Sequence, residues 1–146
     1  MFERMLYAGW GDMDFNGHMR NTAFLDRSAD VRMMYFAENG FSMREFERRR
    51  VGPVIVRDEL DYFRELRLLE SVRVTLVMSA LSDDSAKFRM RNEFFRADGE
   101  LAARVTSSGA WLDLEKRRLT APPEDLARVL AQLERADDFE TIAAKR

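Results

Sequence analysis

Residues 21–39, NTAFLDRSADVRMMYFAEN, decide the fold predicted for this chain. The stretch contains neither proline nor glycine, and apolar side chains recur at helical spacing, for example at Phe24, Val31 and Tyr35. Further apolar residues flank this row, so the predicted helix is apolar around most of its girth. Asn39-Gly40 marks its end. We expect other elements to enclose a helix of this kind.

After the helix, the hydrophobic pattern changes to a period of two, which is typical of β-strands. Strands are predicted at residues 54–63, 72–81, 87–95 and 101–112. Asp98-Gly99 predicts a hairpin turn between the last two strands. Ser107-Ser108-Gly109 interrupts the final strand with small residues, which predicts a bulge or a close backbone approach.

The two ends of the chain complete the predicted order of elements. An opening strand is predicted within residues 2–10, and Ser42 with Glu45 predicts the start of a short charged helix. Pro122-Pro123 followed by two acids predicts a helix over about 122–134, and a loose tail is expected after it, to Arg146.

This order predicts an α+β fold in a single domain over residues 1–146, with its core at about 3–115. An antiparallel sheet of about five strands is expected to wrap around the one long central helix, with the extra C-terminal helix outside that core. Such a sheet has an open edge, with which a second copy of the chain can pair.

Composition excludes several classes of function. The formal net charge is −2 with acids and bases interspersed, so we expect no nucleic-acid partner. The chain has no cysteine and a single histidine, which argues against a metal site, and we expect no cofactor. No segment has the pattern of a signal peptide or a membrane span, so we expect a cytoplasmic protein without a membrane partner.

Polar residues concentrate in the loop before the helix, WGDMDFNGHMRN, residues 10–21. Asp12, Asp14 and His18 are the groups in it that can do acid–base or nucleophilic chemistry. Structural roles are open for each of them, because an Asp in a loop commonly accepts hydrogen bonds from nearby amides and a His can fix the loop. Asp12 is expected to hold the loop in place.

The loop and the start of the helix resemble the hotdog-fold thioesterases, specifically the 4-hydroxybenzoyl-CoA thioesterase-like group. The matching residues follow the pattern W-x-D-x-D-x-x-G-H-x-x-N-x-x-aromatic: Trp10, Asp12, Asp14, Gly17, His18, Asn21 and Phe24. Residues 52–56 match the G-x-x-I-V stretch that opens the second strand in that family. Two positions depart from it: Arg20 replaces a small or amide residue, and Phe24 replaces a frequent tyrosine.

The resemblance implies a hotdog fold and hydrolysis of an acyl-CoA or acyl-carrier thioester, in a homodimer or a dimer of dimers with the site between subunits. It makes Asp14 the catalytic carboxylate, acting as nucleophile or as general base, and places the oxyanion donors at the helix start near Asn21. The Asn21 side chain itself is expected to cap the helix. His18 either orients the substrate and Asp14 or fixes the loop.

The resemblance also suggests where substrate binds. The candidate binding residues are Arg48, Arg49, Arg50, Val54 and Ile55. Guanidinium groups pair well with the phosphates of coenzyme A, although a charge run that closes a helix is more often simply solvated. The alternative functions are a non-catalytic hotdog protein that binds an acyl or aromatic ligand, and a hotdog dehydratase, whose base would be a histidine on a different pattern.

Overall fold

The structure is a computed structural model that describes residues 1–143. The strands are β1 (Phe2–Tyr7), β2 (Val51–Tyr62), β3 (Ser71–Ser82), β4 (Lys87–Arg96), β5 (Leu101–Asp113), β6 (Arg118–Thr120) and β7 (Arg135–Ile142). The helices are α1 (Asn21–Glu38), α2 (Met43–Arg49) and α3 (Glu124–Gln132).

Helix α1 is the predicted central helix, and it ends one residue earlier than predicted. Gly40 follows it with φ +91°, a backbone conformation that glycine adopts without steric cost. The buried positions form one inward face: Ala23, Phe24, Ser28, Val31, Arg32, Tyr35 and Phe36. This face is mostly apolar as predicted, but the sequence pattern gave no indication that Arg32 would be buried.

The sheet confirms the predicted wrapping of α1. Its main strand order is β1-β3-β4-β5-β2, and all of these neighbours are antiparallel. The ring of Phe24 lies 5.2 Å from that of Phe94, and the ring of Phe36 lies 5.7 Å from that of Trp111. Because these contacts lie near opposite ends of α1, the helix packs along the concave face of the sheet.

Strand β2 forms the free edge of this sheet and has the irregular middle that its sequence predicts. Its register with β5 shifts between Ile55 and Arg57, opposite Ser108 and Gly109. A Cβ atom at Gly109 would lie 2.5 Å from the carbonyl oxygen of Val54. The small residues of β5 therefore mark both a bulge in the partner strand and a close backbone approach.

The prediction of a loose tail is wrong for residues 135–142. Strand β7 runs parallel to the second half of β3, because β1 pairs only as far as Leu76 and leaves the rest of that edge open. An ion pair of 2.6 Å between Arg89 and Glu140 fastens β7 across the sheet. The remainder of the predicted tail, residues 144–146, lies outside the described residues. Strand β6, which extends beside the end of β5, was also not predicted.

Candidate active site

Residues 10–20 form a closed loop at the N-terminal end of α1. A bridge between Met13 and Met19 brings the two arms of the loop together, and the amide of Asp14 donates to the carbonyl of His18 over 2.8 Å. The chain therefore returns on itself directly before α1, so that Asp14 and the first turn of the helix lie at the same end of the fold.

The Asp14 side chain is fixed through one of its two oxygens. Oδ1 accepts hydrogen bonds from the amides of Asn16 (2.9 Å) and His18 (3.2 Å). This is the loop-holding arrangement that the sequence left open for Asp14. Oδ2 has no hydrogen-bond donor among residues 1–143, so one carboxylate oxygen is oriented by the loop and remains available to a ligand.

Asp14 also lines an open cavity of about 540 Å³, which we call the loop cavity. Its other lining residues are Trp10, Met13, Phe15, Gly17 and Leu68. Asp14 is the charged side chain of this set, and the others are apolar or glycine. The rings at the rim are highly exposed, with Trp10 at 81% and Phe15 at 99% of their accessible surface. An ionisable oxygen among apolar walls is a common arrangement in small-molecule sites.

The start of α1 offers a free backbone donor. Arg20 precedes the helix without a side-chain capping bond, and the Asn21 side chain accepts from the neighbouring amide of Thr22 over 3.0 Å. The amide of Ala23 donates to the carbonyl of Arg20. Within the described part of the chain, the amide of Asn21 has no acceptor, and it lies at the positive end of the helix dipole.

The imidazole of His18 contacts a residue outside the loop. Its Nε2 lies 2.9 Å from a carboxylate oxygen of Glu65, and its backbone pairs with Arg67 in an isolated bridge. The contact between His18 and Asp14 is made by the backbone of His18. These contacts favour the interpretation in which His18 fixes the loop against the segment after β2.

Asp12 holds the loop to α1, as expected. Its Oδ2 accepts from the amide of Gly9 over 2.9 Å and from the Arg27 guanidinium over 3.0 Å. Arg27 was missed by the sequence analysis, because a carboxylate fifteen residues before an arginine has no recognisable spacing.

Tyr62 is a second residue that the sequence analysis missed. Its hydroxyl donates to the carbonyl of Asn21 over 3.1 Å, and its ring packs edge-on against Phe24. Burial raises the pKa of the Tyr62 hydroxyl above its usual value. The Tyr62 hydroxyl therefore contacts the first turn of α1 from the end of β2.

Arg48 and Arg49 lie beyond the C-terminal end of α1, away from Asp14 within one subunit, and both are already paired. Arg48 donates to Glu45 over 3.0 Å, and Arg49 donates to Glu45 (2.8 Å) and Asp125 (3.0 Å). Hydrogen bonds from Arg48 and then Arg49 lower the pKa of Glu45 to about 2. Arg50 ends α2 with φ +57° and is exposed.

Val54 and Ile55 are half-buried on β2, opposite Ala110 and Gly109. The predicted binding residues therefore lie along the sheet edge and the far end of α1, whereas Asp14, His18 and Asn21 gather at the loop.

Residues 1–143 contain no group of three or more His, Asp or Glu side chains placed to hold a metal ion. None of the helices in this range is long and apolar enough to cross a bilayer.

Comparison with known proteins agrees with this geometry. A family model described as the thioesterase-like superfamily matches residues 8–130, which include the loop, α1, α2, strands β2 to β6 and most of α3. The chain belongs to the thioesterase-like superfamily. Among curated proteins, none matches it significantly.

Several solved structures share the thioesterase-like fold. A hypothetical protein of Staphylococcus aureus, solved in complex with CoA, is 22% identical over 89% of this chain and 81% of its own, with a TM-score of 0.82. A 1,4-dihydroxy-2-naphthoyl-CoA thioesterase from Synechocystis is 16% identical over 90% and 96% of the two chains, with a TM-score of 0.81. A gentisyl-coenzyme A thioesterase is 17% identical over 88% and 98%, with a TM-score of 0.77. At these identities the likeness shows the hotdog fold.

Proposed function

We propose that this protein hydrolyses an acyl-CoA or acyl-carrier thioester to the free acid and the thiol. The observation that carries the proposal is Asp14, which lines an apolar cavity in the loop before α1 and has one oxygen without a donor among residues 1–143. The first backbone amide of α1, that of Asn21, also lacks an acceptor within this range. Membership of the thioesterase-like superfamily supports the reaction class.

In this proposal the first turn of α1 stabilises the oxyanion. Attack on the thioester carbonyl moves negative charge onto its oxygen, and the amide of Asn21 is a preorganised donor at the positive end of a helix. The contact from Tyr62 to the carbonyl of Asn21 braces this turn against β2. Stabilising the oxyanion needs the backbone amide of Asn21. The Asn21 side chain is engaged elsewhere, because it accepts a hydrogen bond from the amide of Thr22.

Asp14 supplies either the nucleophile or the base. As nucleophile, its Oδ2 bonds to the acyl carbon, the thiolate leaves, and water then cleaves the mixed anhydride to give the acid and restore the carboxylate. As general base, it takes a proton from water as the hydroxide adds to the carbonyl, and the carboxyl then protonates the departing thiolate. The loop amides that hold Oδ1 serve both routes.

Coenzyme A is the favoured thiol carrier, since one solved structure with this fold was obtained in complex with CoA. If Arg48, Arg49 and Arg50 bind its phosphates, replacing all three by Gln should raise KM for acyl-CoA and weaken its salt dependence. Turnover of a short pantetheine thioester should then stay nearly unchanged. An equal loss of kcat/KM on both substrates would instead indicate a structural role for these arginines, through the observed ion pairs with Glu45 and Asp125.

We also propose a homodimer or a dimer of dimers with the site at the subunit interface. The free edge of β2 and the exposed rings of Trp10 and Phe15 are surfaces that a second copy would cover. Light scattering at micromolar concentration should therefore give a mass of two or four chains. A stable monomer that retains full activity would contradict this arrangement.

The decisive assay is thiol release across short, long and aromatic acyl-CoAs, repeated with the same acyl groups on acyl carrier protein. Turnover that depends on Asp14 supports the hydrolase. Tight binding of the same thioesters without turnover would support the alternative of a non-catalytic acyl-binding protein. A dehydratase remains the less favoured alternative, because its histidine base would lie on a different sequence pattern.

A further inference from the structure

The interface between α1 and the sheet contains a group of polar side chains, four of them buried and one, on the edge strand β2, half-buried. We call this group the polar layer. It consists of Ser28 and Arg32 on α1, Asp58 on β2, Asn92 on β4 and Ser107 on β5. Aromatic groups flank it on both sides, formed by Phe24, Tyr62 and Phe94 towards the loop and by Phe36, Phe46 and Trp111 towards α2. A polar layer between two aromatic groups is unusual in a core, because buried polar atoms cost free energy unless they are paired.

Three atoms of the polar layer are unpaired. Ser28 Oγ, Arg32 Nη1 and Asn92 Oδ1 are buried and have no hydrogen-bond partner among the described residues. Ser28 and Asn92 are fully buried, and Arg32 is only 7% exposed. Together these atoms present donors and acceptors to the interior, so a group that both donates and accepts would satisfy them.

The buried guanidinium of Arg32 already has a carboxylate nearby, that of Asp58. Burial lowers the pKa of Arg32, and the nearby carboxylate of Asp58 opposes that shift. Asp58 also accepts a hydrogen bond of 2.6 Å from Ser107. A bound carboxylate would place a second negative charge beside Asp58, so a neutral polar group fits the layer better.

A seam leads from the candidate active site to the polar layer. Asn21, Leu25, Ser28 and Arg32 follow one another at intervals of three or four residues, which places them on one stripe of α1. On β2, the side chains of Tyr62, Leu60 and Asp58 lie on the same face of the strand, opposite this stripe.

Two interactions connect the stripe to β2 at its ends. The hydroxyl of Tyr62 bonds to Asn21, and Arg32 interacts electrostatically with Asp58. Between these ends the apolar side chains of Leu25 and Leu60 are only half-buried, so solvent reaches part of the seam along the sheet edge.

We propose that this seam receives the acyl chain and that the polar layer binds a hydroxyl group carried on it. The inference rests on the proposed thioesterase function. Seven residues separate Asn21 from Ser28, so the two lie about 10 Å apart along the helix axis. An extended chain of roughly eight bonds covers that distance. The preferred substrate is therefore a medium-chain hydroxyacyl thioester with its hydroxyl near the far end of the chain.

The first test compares acyl-CoA substrates of equal length that carry a terminal hydroxyl, a terminal methyl or a terminal carboxylate. The wild-type protein should prefer the hydroxyacyl-CoA by about tenfold or more in kcat/KM, the scale of one or two buried hydrogen bonds. Equal rates on the hydroxyl and methyl substrates would overturn the inference and indicate that bound water pairs with the polar layer. A preference for the carboxylate would overturn the assignment of a neutral group.

The second test removes one hydroxyl of the polar layer. Ser28→Ala should reduce the preference for the hydroxyacyl-CoA severalfold, because a donor and acceptor for the hydroxyl is lost. Ser79→Ala is the matched control, since Ser79 is equally buried but its hydroxyl accepts from Arg89 on the outer side of the sheet. A preference that survives Ser28→Ala, or that falls equally in Ser79→Ala, would contradict the inference.

A binding measurement separates this inference from the proposed function. Calorimetry with the free hydroxy acid and the unsubstituted acid needs no catalysis, and the hydroxy acid should bind about tenfold more tightly in a manner that depends on Ser28. That result with no hydrolysis of any thioester would support the polar layer and overturn the proposed function. Hydrolysis of all thioesters, together with equal binding of both acids, would support the proposed function and overturn the role of the polar layer.

Discussion

Asp14→Asn should lower thioester turnover by at least about a hundredfold, the usual scale for loss of a nucleophile or general base. Asparagine keeps the shape of the side chain, and its amide oxygen can still accept from the amides of Asn16 and His18. What it loses is the negative charge of the carboxylate that lines the loop cavity. The melting temperature should change little, because a partly exposed loop acid contributes modestly to stability.

Asp12→Asn is the matched control for this prediction. Asp12 lies two residues away in the same loop, but its carboxylate is turned to Arg27 and the amide of Gly9. The substitution should weaken the attachment of the loop to α1 and cost clearly less turnover than the change at position 14. Near-normal turnover in a folded Asp14→Asn protein, or an equal loss in both variants, would remove Asp14 from the catalytic role.

Gly109→Ala should destabilise the protein by about 2–3 kcal/mol, the range found when a well-packed site is overfilled. The added methyl would lie 2.5 Å from the carbonyl oxygen of Val54 and 2.7 Å from the ring of Phe88. The backbone oxygen cannot move without loosening the pairing of β2 with β5 at the bulge. Urea denaturation at fixed protein concentration measures the free energy of unfolding and its change.

Gly11→Ala provides the control, since none of residues 1–143 has an atom within 4 Å of a Cβ at that position. Its effect on the free energy of unfolding should stay within about 0.5 kcal/mol, as for most surface substitutions. If Gly109→Ala were as mild as Gly11→Ala, the close approach of β2 and β5 would not constrain the fold.

Local sequence patterns were sufficient to predict most of the fold. Helix α1 and strands β3, β4 and β5 combine strong periodicity with clear turn residues, so their type and approximate ends follow from the sequence. The small residues around Gly109 correctly indicated a close approach, because only glycine leaves room for another backbone there.

The missed elements depend on contacts between distant parts of the chain. The sequence of β7 has no strong alternation, and it forms a strand because the second half of β3 leaves an edge unpaired. Strand β6 is short and pairs only with the end of β5. Neither pairing has a signal within the segment itself.

In the candidate site, too, contacts within one segment could be predicted and contacts between distant segments could not. Asp12, Asp14 and His18 lie within one loop, so their proximity follows from the sequence. Their neighbours come from a distant part of the chain. Tyr62, at the end of β2, contacts the start of α1, and Glu65, just after β2, contacts His18. The burial of Arg32 could not be predicted from the sequence either, since an arginine within a helix is normally exposed.

A crystal structure of the Asp14→Asn protein with an intact acyl-CoA would locate the thioester itself. The proposed mechanism predicts the thioester carbonyl oxygen within about 3 Å of the backbone nitrogen of Asn21, with its carbon facing the side chain at position 14. The acyl chain should enter the seam between α1 and β2. A thioester bound away from this turn of α1, with the Asn21 amide still unpaired, would contradict the mechanism.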